Sequence, residues 1–381
     1  MPNRLKRSAC KLLLAFVAGI TLIPEVARAE EPPPLRVRRM FLEAGLSHPW
    51  VHCIHQDRNG FMWFGTMDGL NRYDGNEFRV FRPQRLEGEP DHFSVRTIHE
   101  DDQGMLWVGG INNGFSLFDP SVGKFSERYR FDAAKPNWLA SQSVISIQGA
   151  ADRKLWLGTD WGGLHRFDPK TKALEHFPLR DPRPQNTLQG TVQAIYYEAS
   201  SPSEVWLGTA TMGLIRLDLA TGEIRRFIDD PPAGNLIAAP RAVTSIAVDS
   251  PGVLLLTAST GLYLFDCESG KFLNHFPYLD EDGKNRGLSS ILKTRDGSWW
   301  VSSGTAGVGR FTSVSGEWEF QIHRYDASDP QSLSHNRVRS LYQDRGGMIW
   351  AAMSITGLCL FDPQGGWIRE HQFEDGRSGH S

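Results

Sequence analysis

Apolar pairs three residues apart recur along the chain: Val51/Ile54, Val95/Ile98, Val144/Ile147, Val192/Ile195, Val243/Ile246, Leu288/Ile291 and Val338/Leu341. A polar turn, usually with Asp and Gly, follows each pair. Next comes a short apolar run centred on Trp63, Trp107, Trp156, Trp206, Leu254, Trp300 or Trp350, at successive spacings of 44, 49, 50, 48, 46 and 50 residues. A third run opens at Gly69-Leu70, Gly114-Phe115, Gly163-Leu164, Gly213-Leu214, Gly261-Leu262, Gly307-Val308 and Gly357-Leu358, and mostly closes on an aromatic residue and Asp, as in Tyr73-Asp74. The fourth is brief, as in Phe78 to Phe81, Leu174 to Phe177 or Ile224 to Phe227. Runs this short, rich in β-branched and aromatic residues and broken by Gly, Asp, Pro and Ser, read as strands. Four strands per unit and seven units predict an all-β fold, a seven-bladed β-propeller of four-stranded blades. An open solenoid would need capping segments, and none is evident.

Repetition marks architecture. The anchors Trp63, Trp107, Trp156, Trp206, Trp300 and Trp350 are expected as core side chains between blades, and each Gly of Gly-Leu where the chain enters a strand with little room. The Asp residues are expected to accept a backbone N–H two residues on. A ring also has two ends to join, or two sheet edges stay bare. Residues 30–47 offer a closing strand for the outer edge of the seventh blade. Val37–Phe41 and Ile368–Phe373 compete for that place, so the last blade has five strands or one segment is left loose. The propeller itself is expected over 48–373, with a polar tail at 374–381.

The unit [VI]xxIxxDxxGxxWxGTxxGLxxYD, clearest in the first copy as IHQDRNGFMWFGTMDGLNRYD, resembles the two-component regulator propeller repeat. The resemblance covers about residues 45–375. It implies a periplasmic ligand-sensing domain of the kind found in sensor histidine kinases, hybrid regulators and diguanylate cyclases. Commoner members continue into further repeats, an immunoglobulin-like domain, a membrane helix and an output domain, whereas here EDGRSGHS alone follows Phe373. The expectation is a sensory, ligand-binding propeller of a two-component or cyclic-di-GMP system. It would act without its own output domain, alongside a membrane-bound histidine kinase or diguanylate cyclase partner.

Composition narrows the classes further. With 40% hydrophobic and 22% charged residues among 381, the chain can bury a large core. Residues 1–29 read as a secretory signal peptide: Arg4, Lys6, Arg7 and Lys11 precede the apolar run Leu12 to Ile23, and Ala27-Arg28-Ala29 offers a cleavage site. Periplasmic localisation is expected, with no direct membrane insertion after cleavage. Those residues hold five Lys/Arg and one Asp/Glu, so 36 basic residues then face 43 acidic ones and the formal charge is −7. That balance argues against nucleic acid. Cys53, Cys267 and Cys359 form neither a disulfide framework nor a CxxC site. No HExxH, GxSxG or Walker motif is present, and a strand would put His52 and His55 on opposite faces. No catalytic residue, metal ligand or cofactor is expected.

If the first strand of each unit lines the central channel, the second-to-third loops and the long inter-unit loops share one face. Long loops on a rigid frame suit binding, and aromatics beside amides and carboxylates suit a small polar ligand such as a glycan. Candidates there are Trp50, Asp68, Asn112, Trp138, Asp160, Trp161 and Arg337. Trp161 stands out as a non-repeated aromatic in a short loop. The other readings are a periplasmic protein-interaction platform and a lyase resembling streptogramin B lyase, for which His92, His335 and Asp160 would share that face.

Overall fold

Each unit folds into one blade, because its short runs are joined by turns tight enough to set neighbouring strands antiparallel. The computed structural model describes residues 35–365, apart from 41, 86–90, 133, 136–137, 151, 180–189, 199–202, 228–236, 281 and 315–316. The expected signal peptide, the polar tail and the segment 368–373 lie outside the described residues. Within them the chain forms seven four-stranded antiparallel sheets, no α-helix and one 3-10 turn, Leu42–Ala44.

Blade 1 pairs Val51–Gln56, Met62–Thr66, Gly69–Tyr73 and Phe78–Phe81 in that order. Blades 2 (97–129), 3 (144–177), 4 (192–226), 5 (243–276) and 6 (288–323) repeat the arrangement. Blade 7 takes three strands from 338–361 and its fourth from Val37–Met40, with Val37 opposite Phe361 and Met40 opposite Leu358. Among the described residues the last blade therefore has four strands, and the N-terminal segment is the outer one. Arg39 pins this strand by donating to the carbonyls of Asp329, Ser332 and Leu333 at 3.0–3.1 Å. The innermost strands are neighbours all round the ring, with Val338–Gln343 beside Val51–Gln56.

The repeated residues explain one another. Four of the Trp residues pack on the ring that ends the third strand of the next blade, Trp63 on Phe118 (centroids 5.4 Å apart), Trp107 on Phe167 (5.6 Å), Trp206 on Phe265 (5.5 Å) and Trp300 on Phe361 (5.5 Å), while Trp156 has Leu217 in that place. Trp350 meets Tyr73 of blade 1 at 5.9 Å, carrying the series across the closure. Such aromatic pairs add about 0.5–1.5 kcal/mol beyond their area burial.

The turn Asp has a second task besides the turn. In blade 1, Asp57 Oδ1 accepts the N–H groups of Asn59 (2.9 Å) and Phe61 (3.0 Å), and Oδ2 accepts Trp63 Nε1–H at 2.7 Å. Asp101 receives Trp107 at 2.9 Å and Asp344 receives Trp350 at 2.7 Å in the same way. Ala150 and Thr294 stand at this position in blades 3 and 6, and there Trp156 Nε1 and Trp300 Nε1 are buried without an acceptor. A guanidinium lies over each of those rings, Arg166 at 5.4 Å and Arg310 at 5.9 Å.

Glycine serves two needs. In all seven Gly-Leu or equivalent pairs its φ is positive, from 65° to 123°, a region costly for other residues. The Gly two residues after Trp keeps a gap: a Cβ on Gly65, Gly109, Gly158 or Gly208 would sit 2.7–2.9 Å from the carbonyl oxygen that begins the next blade's inner strand.

Candidate ligand-binding face

Strand direction sends the first-to-second and third-to-fourth turns to one face of the ring and all other connections to the opposite face. The turn face is tied down by arginines. Arg295 of blade 6 donates to the carbonyls of Asp344 (2.8 Å) and Arg345 (2.7 Å), and Arg345 of blade 7 donates to Arg58 O (3.0 Å). Arg58 of blade 1 reaches the carbonyls of Asp101 and Asp102. A cavity of about 690 Å³ opens on this face between blades 2 and 3. Its wall mixes carboxylates such as Glu100, Asp102 and Asp152 with Arg153, Lys154 and Lys172, and none of the seven residues picked from the sequence lines it.

On the loop face the seven candidates have different surroundings. Asp68 is held by Arg82, which donates to both carboxylate oxygens at 3.1 and 2.8 Å. Trp138 turns inward, its Nε1–H donating to Arg130 O at 2.7 Å and its ring packing near Tyr129. Trp50 is 46% exposed, edge-on to His48. Asn112 has φ +59° and donates its N–H to Ser143 Oγ at 3.1 Å. Arg337 is exposed, its N–H donating to His335 Nδ1 at 3.0 Å. His92, His335 and Asp160 make no hydrogen bond or ion pair with one another among the described residues.

Asp160 and Trp161 form the most built piece of this face. Trp161 is 46% exposed with φ +61°, an unfavourable backbone for a bulky residue. Several bonds hold it there. Asp160 N–H donates to Ser143 O (3.1 Å), Trp161 N–H to Thr191 Oγ1 (3.1 Å), and Thr191 Oγ1–H to Asp160 Oδ1 (2.8 Å). His176 Nε2–H reaches Gly162 O at 2.8 Å, and a Cβ on Gly162 would fall 2.6 Å from Thr159 Oγ1. Strain held by surrounding bonds under an exposed aromatic is characteristic of functional sites.

Sequence reasoning missed a second group beside it. Arg96 begins blade 2, His52 lies on the inner strand of blade 1 and Arg339 on that of blade 7. Arg96 Nη1 lies 3.4 Å from His52 Nδ1. Burial, followed by the like charge of Arg339, pulls the Arg96 pKa down to about 10. Burial, then the charges of Arg96 and Arg339, holds His52 down to about 3, so its ring is neutral. Arg339 is exposed, yet desolvation by the surrounding protein lowers its pKa too. Blades 7 and 2 are separated by blade 1, so their side chains can sense one another only near the ring axis. The signal was the second position of each Val-x-x-Ile pair, chemically varied between constant neighbours. Among the described residues no three His, Cys, Asp or Glu side chains are placed to hold a metal ion, and no helix is long and apolar enough to cross a membrane.

Comparison with known proteins places the repeat. Residues 45–68 match the two component regulator propeller family model. Histidine kinase P4 of Formosa agariphila is 50% identical over 38 residues, which is 10% of this chain and 3% of that protein. The extracellular domain of a putative hybrid two component system from B. thetaiotaomicron superposes with TM-score 0.69 at 22% identity, over 86% of this chain and 42% of that one. A putative one component system from the same organism gives 0.66 at 19% identity, over 86% and 40%. A catalytically inactive virginiamycin B lyase from Staphylococcus aureus, solved with quinupristin, gives 0.61 at 13% identity, over 86% and 99%. This chain thus spans well under half the length of the signalling proteins it resembles.

Proposed function

We propose that this chain, which carries the two-component regulator propeller repeat, is a periplasmic sensory propeller. It binds a small polar ligand, a glycan by the chemistry of its loop face, and reports occupancy to a membrane-bound histidine kinase or diguanylate cyclase. The Trp161 loop carries this reading: an exposed indole held in a strained backbone by Ser143, Thr191 and His176 is ready to stack on a sugar ring without further ordering. Extracellular placement of the similar signalling domains and the signal-peptide pattern of residues 1–29 support the location.

The test is a thermal-melt and calorimetric screen of the full chain against mono- and oligosaccharides, run beside Trp161→Ala. A ligand at 100 times its Kd adds about 2.7 kcal/mol to the folded state. The expected result is a selective rise in melting temperature for the native chain. Trp161→Ala should bind at least tenfold more weakly while melting normally without ligand. Equal binding by the variant, or its unfolding, would place Trp161 in the frame and refute the reading.

A further inference from the structure

The three side chains at the start of blades 7, 1 and 2 form an unusual electrostatic arrangement. Arg96, at the start of blade 2, and Arg339, on the inner strand of blade 7, flank blade 1, and the charge of Arg339 bears on Arg96. Neither forms an ion pair among the described residues. The carboxylate that bears on Arg96 is Asp160, which makes no ion pair with it and whose Oδ1 accepts the Thr191 hydroxyl. A guanidinium can only donate, so at 3.4 Å His52 Nδ1 is the acceptor and Nε2 carries the proton. That Nε2–H is buried without a partner, and so is the Nε–H of Arg96. The group therefore presents two positive charges without an ion-pair partner among the described residues, and two buried donors without an acceptor.

A desolvated guanidinium without an ion-pair partner lowers stability, the more so with a second cation near it, and such an arrangement is expected where a ligand supplies the missing partner. We propose that Arg96, His52 and Arg339 form an oxyanion-binding site at the mouth of the central channel, which takes the carboxylate, sulfate or phosphate group of a small ligand. The planar guanidiniums suit paired contact with such oxygens. Trp161, beside Asp160 on the same face, would then meet the remainder of the ligand. The inference builds on the sensory reading and gives its ligand a charge.

The experiment melts the full chain with sodium sulfate, sodium phosphate, sodium glucuronate and neutral glucose, ionic strength being held constant with NaCl. Calorimetry then gives affinities for the native chain, Arg339→Gln and Trp161→Ala. The expected result is a saturable rise in melting temperature with at least one anion, absent with NaCl alone and at least tenfold weaker in Arg339→Gln. The anion that acts tells a carboxylate from a tetrahedral group. Without any anion Arg339→Gln should melt at or above the native chain, because a repulsion has been removed. An equal response by Arg339→Gln, a response to NaCl of the same size, or no anion response at all would overturn the site. Binding of glucose that Trp161→Ala abolishes and Arg339→Gln leaves intact would overturn it too while the sensory reading stood.

Discussion

The bond between turn Asp and Trp indole makes a two-way prediction, because the protein contains its own natural variant. Asp57 is 1% exposed and Trp63 fully buried. In Asp57→Ala the turn N–H groups of Asn59 and Phe61 can turn to water, since both residues reach the surface. The Trp63 Nε1–H cannot. A buried donor left alone costs about 1–3 kcal/mol, and bonds to a charged acceptor lie at the upper end, so we expect a loss of about 3 kcal/mol. Asn is no remedy, because whichever way its amide faces it sets N–H groups against either the indole or the turn. In blade 3 the experiment runs backwards. Ala150 N donates to Lys154 O at 2.8 Å and Arg153 N to Ala150 O at 3.2 Å, the same turn that Asp57 makes with Phe61 and Gly60. Ala150→Asp should give Trp156 Nε1 its missing acceptor and add about 1 kcal/mol. An unfolding entropy of about 2.1 cal/mol/K per residue makes one degree worth roughly 0.7 kcal/mol here. Calorimetric melting should therefore fall by about 4 °C for Asp57→Ala and rise by about 1–2 °C for Ala150→Asp. If Asp57→Ala melts within one degree of the native chain, or Ala150→Asp melts lower, the indole bond is not what the turn Asp supplies.

Two further outcomes follow from the frame. His165 is fully buried and takes the Ala140 N–H on Nε2 at 3.1 Å, and burial, then the neighbouring His176, holds its pKa down to about 3. The unfolded chain takes up that proton near pH 6.5 and the folded chain does not, so stability falls as pH drops from 6.5 toward 3, by about 2 kcal/mol at pH 5 from this residue. In His165→Gln, whose amide oxygen can accept the same N–H, the unfolding free energies from denaturant titrations at pH 7 and pH 5 should lie closer together by that amount; an unchanged gap would refute the assignment. Removing residues 30–40 should bare the edge strand Leu358–Phe361 and produce concentration-dependent association in size-exclusion chromatography, whereas a monomer with native melting would show that Val37–Met40 does not close the ring.

The fold was legible because its determinants repeat. Six Trp-centred runs and a seventh on Leu254, seven Gly-apolar starts and the aromatic-Asp ends are three views of one contact between blades, and a contact repeated around the ring writes itself into the sequence at a nearly constant period. Ring closure was half legible: the run Val37–Met40 reads as a spare strand, but its pairing with Leu358–Phe361 rests on contacts no local pattern announces, among them Arg39 gripping residues 329–333. The site was less legible. Trp161 was visible as an aromatic outside the repeat, whereas the inward turn of Trp138 depends on a carbonyl eight residues away. Arg96 and Arg339 come from opposite ends of the chain, and no local pattern says that they share an axis.

That last failure points to where function can be written into such a frame. The position after the first apolar residue holds His52, Arg96, Ile145, Gln193, Thr244, Ser289 and Arg339, with no chemical type in common, while Val or Leu precedes it and Ile or Leu follows two residues later. In six blades the ladder between the first two strands shifts register across this residue, from Val51 to Cys53 in blade 1 and from Val338 to Ser340 in blade 7. In blade 2 the inner strand starts just after Arg96. A bulged residue is released from cross-strand pairing, so its side chain is not fixed by the partner strand. The blade can exchange it without disturbing its Trp, Gly or Asp, and its place near the axis lets residues of separate blades act on one ligand. In a ring whose other recurring positions are taken up by contacts between blades, this position is free to vary, and Arg96 and Arg339 are what this chain has put there.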